Sequence, residues 1–567
     1  MGIFSRRTVL LLLLTLILIA VALRYPLVEH ERFQTDSYFI HYLAKSIGDE
    51  GFARWMFHPL SYFGYYPVSY PSGMPFVLAE LSELTGLSVE LSVLVADMML
   101  ASLFALVVFC FSREFLERPE YALLAAFFAS VGPRFVDTTY WDGSARGPVV
   151  VLMTLLVLLA LRASSTHQNR LLVLAGLVGF ACISVHHMAV LILLYGFGFV
   201  LAVVGFRYVR VMKGTEIRHL AVASFIGSCT LVALCVLSYF GGLAATISRT
   251  FDEQGFFSIE SALMSTLLNM GVSYTHQIGF VLLLSIAGLF IVLRRPVFTV
   301  RALLPISVIL VSVPVLGSSL YVSMLLAPFV AILGLVYVRE ALRNEHRRTL
   351  VLSVVGTLVV ASLVLPIWSS QRWNGFEPIP GATVEVNSQV FDDATYLRVN
   401  AYQRFAISNG GAAAAQLQSL TDLYFLNSDF SQAASGDITA NELRGNITAS
   451  KMGFPRNIYL WFDYKYEYDT ENIISGIMHR GSAFVNDGGS IAIKANELFS
   501  SHPKLFIVVD NNIPTQYSSP YGVGDARFLI ELRYDTLVSY GGSADPHSYM
   551  IYQSERITTY IVNMPTR

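Results

Sequence analysis

The sequence predicts an α-helical polytopic membrane protein of about eleven transmembrane helices, carrying a C-terminal extracytoplasmic α/β domain. Three observations predict it. Hydrophobic residues fill 54% of the 567 positions and charged residues only 14%, whereas soluble domains carry roughly 25% charged residues. The apolar residues fall into runs long enough to span a bilayer, which takes about 20 residues per helix and fewer where flanking side chains snorkel. After Pro366 the composition turns polar, with Gly, Asn, Asp and Ser clusters between short apolar runs.

The first run, Val9 to Leu23, follows Arg6 and Arg7. Ala20-Val21-Ala22 resembles a signal-peptidase site, but the run is long for a signal h-region, so a retained anchor is expected. The spans fall at about 8–23, 91–112, 121–133, 147–162, 170–186, 187–206, 219–241, 278–293, 302–316, 319–338 and 350–367. A further run, Met74 to Leu87, is short and holds Glu80 and Glu83. The positive-inside rule decides its role. If it lies in the interface and the N-terminus is inside, every cytoplasmic loop is basic. Those loops hold Arg113 and Arg118, Arg162 and Arg170, Arg207 to Arg218, Arg294 to Arg301, and Arg339 to Arg348. If it crossed, all of these would lie outside while Arg6 and Arg7 stayed inside.

This places three segments outside. The first, 24–90, is long and aromatic (Trp55, Phe57, Tyr62, Phe63, Tyr65, Tyr66, Tyr70), and aromatic rings favour headgroup depth. Within it Tyr38 to Ile47 reads as a short amphipathic helix. The second is Val131 to Gly147, and the third, about 242–277, contains an interface helix at Ile259 to Leu268. The expected domains are a membrane module, 1–367, and a soluble α/β domain, 368–567, of ordinary domain size. In the latter, Lys504 to Asp510, Tyr534 to Tyr540 and Ser548 to Tyr552 read as strands, and Ala394 to Ser408 and Glu471 to His479 as helices. The four cysteines, Cys110, Cys182, Cys229 and Cys235, all lie in apolar spans, so the outer domain has no disulfide framework. A net charge of -2 argues for no nucleic-acid partner.

An acid in the first outer loop is not needed for folding. Asp36 is such a residue, in Thr35-Asp36-Ser37-Tyr38-Phe39. With Tyr66-Pro67-Val68-Ser69-Tyr70-Pro71-Ser72-Gly73-Met74-Pro75 and Leu84-Thr85-Gly86-Leu87, this order resembles the GT-C class of membrane glycosyltransferases. The likeness covers about residues 8–210 well and the rest in layout. It implies a sugar donor linked to a polyprenyl phosphate and an acceptor outside the membrane: a lipid, a glycan or a protein. Asp36 is then the general base that takes the acceptor proton. The alternative is a helix N-cap, a common place for Asp, and the two roles are compatible. Many members have two adjacent acids here, whereas this chain has Ser37 after Asp36. A second carboxylate then comes from Asp137 or Asp142, unless their loop is merely solvated.

Basic groups neutralise a departing phosphate. Arg146, at the outer mouth of a span, is the leading candidate, with Arg134 and Arg249 more in keeping with headgroup snorkelling. His186 and His187 form an outer turn between spans, and His276 lies at another helix mouth. No spacing forms a closed metal site, but Asp36 with Asp137 or Asp142 could hold Mg²⁺ or Mn²⁺. Trp461-Phe462-Asp463-Tyr464 faintly resembles the acceptor motif of oligosaccharyltransferases, with Lys465 in place of its glycine. Asn446-Ile447-Thr448 is a possible glycan acceptor.

Three function classes follow. The first is a glycosyltransferase with Asp36 as base, or its oligosaccharyltransferase-like variant. The second is a transporter or flippase, disfavoured because few charges lie at span centres. The third is a non-catalytic scaffold. Membrane lipids are partners in each, and a single chain without disulfides suits a prokaryotic plasma membrane, archaeal or bacterial.

Overall fold

The structure, a computed structural model, describes residues 5–26, 30–31, 37–50, 73–186, 189, 191–211, 274–294, 299–316, 320–343, 345–373, 388–400, 405–408, 417, 420–421, 424–425, 504–510, 548–554 and 557–563. The chain divides into two compact units. One comprises Met1–Tyr25, Ala96–Tyr140 and Arg146–Arg372; the other comprises Pro26–Val95, Trp141–Ala145 and Trp373–Arg567.

The first unit is a helical bundle. Helix α1, Arg6–Ala22, is capped by Ser5, whose hydroxyl accepts from the Thr8 amide at 3.2 Å. Leu13, Leu16 and Ala20, spaced three and four apart, are buried, while Leu10, Leu11, Leu14 and Leu18 are exposed. In the chain order of the whole protein the bundle continues with α4 (Val89–Arg113), α5 (Pro119–Ser130), α6 (Pro133–Asp137), α7 (Arg146–Thr166), α8 (Asn169–Val185), α9 (Ile192–Val211), α10 (Val281–Arg294), α11 (Val300–Leu316), α12 (Leu320–Ala341) and α13 (Glu345–Trp373). Ten of the expected spans coincide with α1, α4, α5 and α7 to α13. The eleventh, 219–241, and the interface helix at 259–268 lie outside the described residues. Helices α4, α7, α12 and α13 contain windows long and apolar enough to cross a membrane.

Helix α12 is the hub. It packs against α5, α6, α7, α10 and α11, and 72% of its apolar window is buried, against 22% for α13. With no hydrophobic gain between helices in lipid, such bundles rely on close approach at small residues. Gly288 of α10 shows this: an added Cβ would run into the Leu333 carbonyl of α12. Gly198 of α9 meets the Val308 backbone of α11 in the same way, at 2.9 Å to its Cα. The side chains left exposed around the bundle, among them Leu177, Phe180, Phe197, Val200 and Phe290, form an apolar face suited to lipid.

The second unit contains α2 (Ser37–Glu50) packed on α3 (Gly73–Thr85), helix α14 (Ser388–Asn400), and a five-stranded sheet. Thirteen residues make α3 only about 20 Å long, against a hydrocarbon core of about 30 Å, and its Glu80 and Glu83 are exposed. Strands β1 (Phe405–Ser408), β2 (Tyr424–Phe425), β3 (Lys504–Asp510), β4 (Ser548–Gln553) and β5 (Ile557–Asn563) run in the order β2-β1-β3-β5-β4. The β1 pairings with β2 and β3 are parallel, and those of β5 with β3 and β4 antiparallel.

Strands β3 and β4 lie where the sequence places them. The expected helix Ala394 to Ser408 is different: α14 begins earlier and stops at Asn400, and Phe405–Ser408 is a strand. Phe405 pairs with both Leu505 and Tyr424, so sheet partners on two sides override local helical pattern. The strand Tyr534 to Tyr540, the helix Glu471 to His479, and the motifs at 446–448 and 461–464 lie outside the described residues. Two contacts tie α14 into this unit. The Phe391 ring stacks on His30 at 3.7 Å, and buried Asp393 accepts from the Tyr552 hydroxyl at 2.6 Å.

Candidate active site

In the second unit, a buried polar ring joins the start of α2 to the turn 141–145. Ser37 opens α2. Its hydroxyl donates to Glu31 Oε1 at 2.7 Å and accepts from the Gly143 amide at 2.6 Å. The other oxygen of Glu31 is 2.7 Å from His41 Nδ1, one helical turn along α2. Glu31 and Ser37 are fully buried and His41 nearly so. The Glu31 amide in turn donates to Glu90 Oε1 at 3.0 Å, and the Glu90 carbonyl accepts from Trp141 Nε1 at 2.9 Å. The ring therefore closes through Glu90, Glu31, Ser37, Gly143 and Trp141. Burial, the largest influence, holds the Glu31 carboxyl above the ordinary carboxylate range; His41 and Ser37 oppose this, and the Glu90 carboxylate adds to it.

The turn is unusual in its backbone. Trp141 has φ of 50°, a left-handed conformation that costs a bulky residue on the order of 1–3 kcal/mol and persists only where surroundings enforce it. Its indole bond to Glu90 and the Gly143 bond to Ser37 are that enforcement. Gly143 fits closely: a Cβ there would sit 3.0 Å from Ser37 Oγ and 3.2 Å from Glu31 Oε1, so both would have to shift. Asp142 lies between these anchors and is 4% exposed. The loop is thus packed rather than solvated.

In the first unit, Arg24 closes the C-terminal end of α1. It is fully buried. Its guanidinium donates to the Ala20 carbonyl at 2.9 Å, to the Ser130 carbonyl at 3.3 Å and to Thr139 Oγ1 at 3.0 Å, it lies 5.1 Å from the centre of the Phe135 ring, and it is electrostatically paired with buried Asp97 of α4. It therefore satisfies the orphan carbonyls at the C-termini of two helices, α1 and α5.

The remaining described candidates, Asp137, Arg146, His186 and His276, lie in the first unit. Asp137 pairs with Arg134 within α6, both buried. Arg146 is half-buried and opens α7. His186 is buried as the C-cap of α8, its amide bonded to the Cys182 carbonyl at 3.1 Å. His276 is half-buried. Asp36, His187 and Arg249 lie outside the described residues. Among the described residues no group of three or more His, Cys, Asp or Glu side chains is placed to hold a metal ion. Sequence reasoning passed over Glu31, Glu90 and Arg24. The available signal was their rarity: charged residues next to an apolar span, in a chain with few of them, must be satisfied in the fold.

The fold, a bundle of apolar helices with a mixed-sheet segment in the second unit, is shared with solved structures of the GT-C type. No known protein family and no curated protein matches the sequence itself. Among solved structures, the oligosaccharyltransferase of Archaeoglobus fulgidus in its apo form aligns with a TM-score of 0.54 at 11% identity, over 80% of this chain and 69% of its own. The oligosaccharyltransferase AglB of the same organism, in complex with an inhibitory peptide and a dolichol-phosphate, aligns at 0.54 and 12% identity, over 98% of this chain and 80% of its own. ArnT from Cupriavidus metallidurans aligns at 0.51 and 10% identity, over 97% of both chains. At these identities the likeness is one of fold.

Proposed function

We propose that the chain is a glycosyltransferase. It moves a sugar from a polyprenyl-phosphate-linked donor to an acceptor at the outer face of a prokaryotic membrane, with Asp36 as general base. The observation that carries the reading is the Ser37–Gly143 hydrogen bond. Ser37 is one peptide from Asp36, and Gly143 one peptide from Asp142, about 3.8 Å between Cα atoms in each case. The bond thus joins, in a buried setting, the two acid-bearing loops that the resemblance singles out. A strained Trp141 beside Asp142 supports the same reading, since such strain gathers at functional sites.

The base takes the acceptor proton as the acceptor oxygen or nitrogen attacks the anomeric carbon, and the phosphate leaves with the bonding electrons. Arg146 is assigned to the phosphate. It stands at a helix N-terminus, where a cation is unfavourable on its own and where the backbone amides already favour an anion. His186, His187 and Arg249 are assigned subsidiary donor contacts, and Asp137 is set below Asp142 because Arg134 already occupies it. In this reading Asp36 with Asp142 or Asp137 would be the ligands of an Mg²⁺ or Mn²⁺. An oligosaccharyltransferase of the same fold has been solved with zinc and sulfate, but the described residues do not assemble a ligand set.

The test is transfer of labelled sugar from polyprenyl-phosphate donors in membranes. Asp36→Asn keeps the shape and capping capacity of the side chain and removes its basicity. Transfer should fall ~10²–10⁴-fold at unchanged protein level. Full transfer by Asp36→Asn would remove the assignment and make Asp142 the next residue to test. Transfer to Asn-X-Thr peptides would select the oligosaccharyltransferase reading, which the fold likeness to that enzyme favours as second choice.

A further inference from the structure

We infer that Glu31 is a positioning residue. Its buried carboxylate sets the Ser37–Gly143 junction and, through it, the orientation of Asp142. The inference rests on the proposed role of the acid-bearing loops and extends it to a residue that touches no substrate.

The geometry supplies the argument. Ser37 Oγ has one proton to give. It gives it to Glu31 Oε1, which turns its lone pairs toward the Gly143 amide. An acceptor opposite Ser37 is therefore what makes the hydroxyl an acceptor for Gly143. The second carboxylate oxygen is held by His41, so the side chain cannot swing away. The Glu31 backbone is fixed as well, because its amide is bonded to Glu90 Oε1, and the Glu90 carbonyl holds Trp141. Both ends of the 141–143 segment are consequently tied to the same short stretch, Glu90 on one side and Glu31 through Ser37 on the other. Asp142, in the middle, inherits its direction from these two ties.

A fully buried carboxylate is expensive to keep. Among the described residues the Glu31 side chain is hydrogen-bonded to Ser37 and His41. The cost is repaid as geometry. Misplacement of a reacting group by about 1 Å is worth ~10²-fold in rate, and holding a catalytic loop is the work of groups behind it.

Two readouts test this in the full chain, reconstituted in lipid nanodiscs. The first needs no activity: amide hydrogen exchange of peptides spanning 141–145. The wild type should be protected. Glu31→Ala should speed exchange at Gly143 by about tenfold or more, as a locally opened segment does. Glu31→Gln should stay protected, because its amide oxygen still accepts from Ser37 and its NH₂ can face His41 Nδ1.

The second readout is the kinetics of transfer. Glu31→Ala should lower kcat ~10–10²-fold with KM for the donor and the midpoints of the pH profile unchanged, and Glu31→Gln should restore most of kcat. If Glu31→Ala does not accumulate, Ser37→Ala replaces it, since it removes the bridge and leaves Glu31 with His41. Unchanged exchange at 141–145 in these variants overturns the inference. So does a Glu31→Gln chain as slow as Glu31→Ala with a lost pH limb, which would make Glu31 a proton carrier. A wild-type chain that transfers no sugar would sink the proposed activity, and exchange alone would then decide the present inference.

Discussion

Two buried charges seven residues apart, Arg24 and Glu31, solve the same electrostatic problem in opposite ways. Arg24, in the helical unit, is surrounded by acceptors that the helices present anyway: the carbonyls of Ala20 and Ser130 at helix ends, a threonine hydroxyl, and the charge of Asp97. The carbonyls of Ala20 and Ser130 lie at helix ends, where no intrahelical donor reaches them. Glu31, in the other unit, faces side chains rather than helix ends, a serine hydroxyl and a histidine. The cation closes an account left open by secondary structure. The anion imposes an orientation on a loop. One residue is therefore read as architecture and the other as support for chemistry.

The largest effect expected from this contrast is at Arg24. Arg24→Ala removes the buried guanidinium from two helix ends and from the field of Asp97, so stability should drop by about 3–5 kcal/mol. Thermal unfolding in detergent and the yield of folded protein measure it. Arg24→Lys should lie between, because a point charge cannot serve three acceptors in a fork. If Arg24→Ala kept wild-type stability while losing transfer, the contrast would be reversed.

At Glu31 the expected effect depends on pH. Its carboxyl is raised above the ordinary value of 4.5 in the folded chain. The folded state therefore holds this proton more tightly than the unfolded state. The associated stability is fully present below the ordinary value and is lost as pH rises through the raised one. The groups facing it are His41, Ser37 and Glu90. Glu31→Gln cannot titrate. Its melting temperature should gain on the wild type as pH rises across that window, and a constant difference would show that the carboxyl is not buried as described.

The smallest effect lies at the far end of α1. Ser5→Ala removes an exposed N-cap bond and should cost about 0.5–1 kcal/mol, with transfer unchanged. A large loss there would mean that α1 is held from its N-terminus rather than through Arg24.

Much of the helical unit is legible in the chain. Apolar runs separated by arginines mark α1, α4, α5 and α7 to α13 because lipid demands continuous apolar length and satisfied backbone, which are local properties. Strands β3 and β4 are legible from β-branched and aromatic runs between turn residues. Strand β1 is not: Phe405–Ser408 follows a helix closely and becomes a strand only because β2 and β3 lie beside it. At the candidate site, Asp142 could be picked from sequence as an acid in an outer loop. Its burial, and the strain at Trp141, could not.

Composition and charge order by themselves determined that this is a membrane protein and where its described apolar helices fall. They could do so because hydrophobic length and charge bias act along the chain. Only the tertiary structure decided which charges are buried and what they hold. Glu31 meets Gly143 across more than a hundred residues, through Ser37. Arg24 meets Ser130 and Thr139 at a similar remove. Hydrogen bonds of a few ångströms between distant segments are set by packing, and no local pattern encodes them.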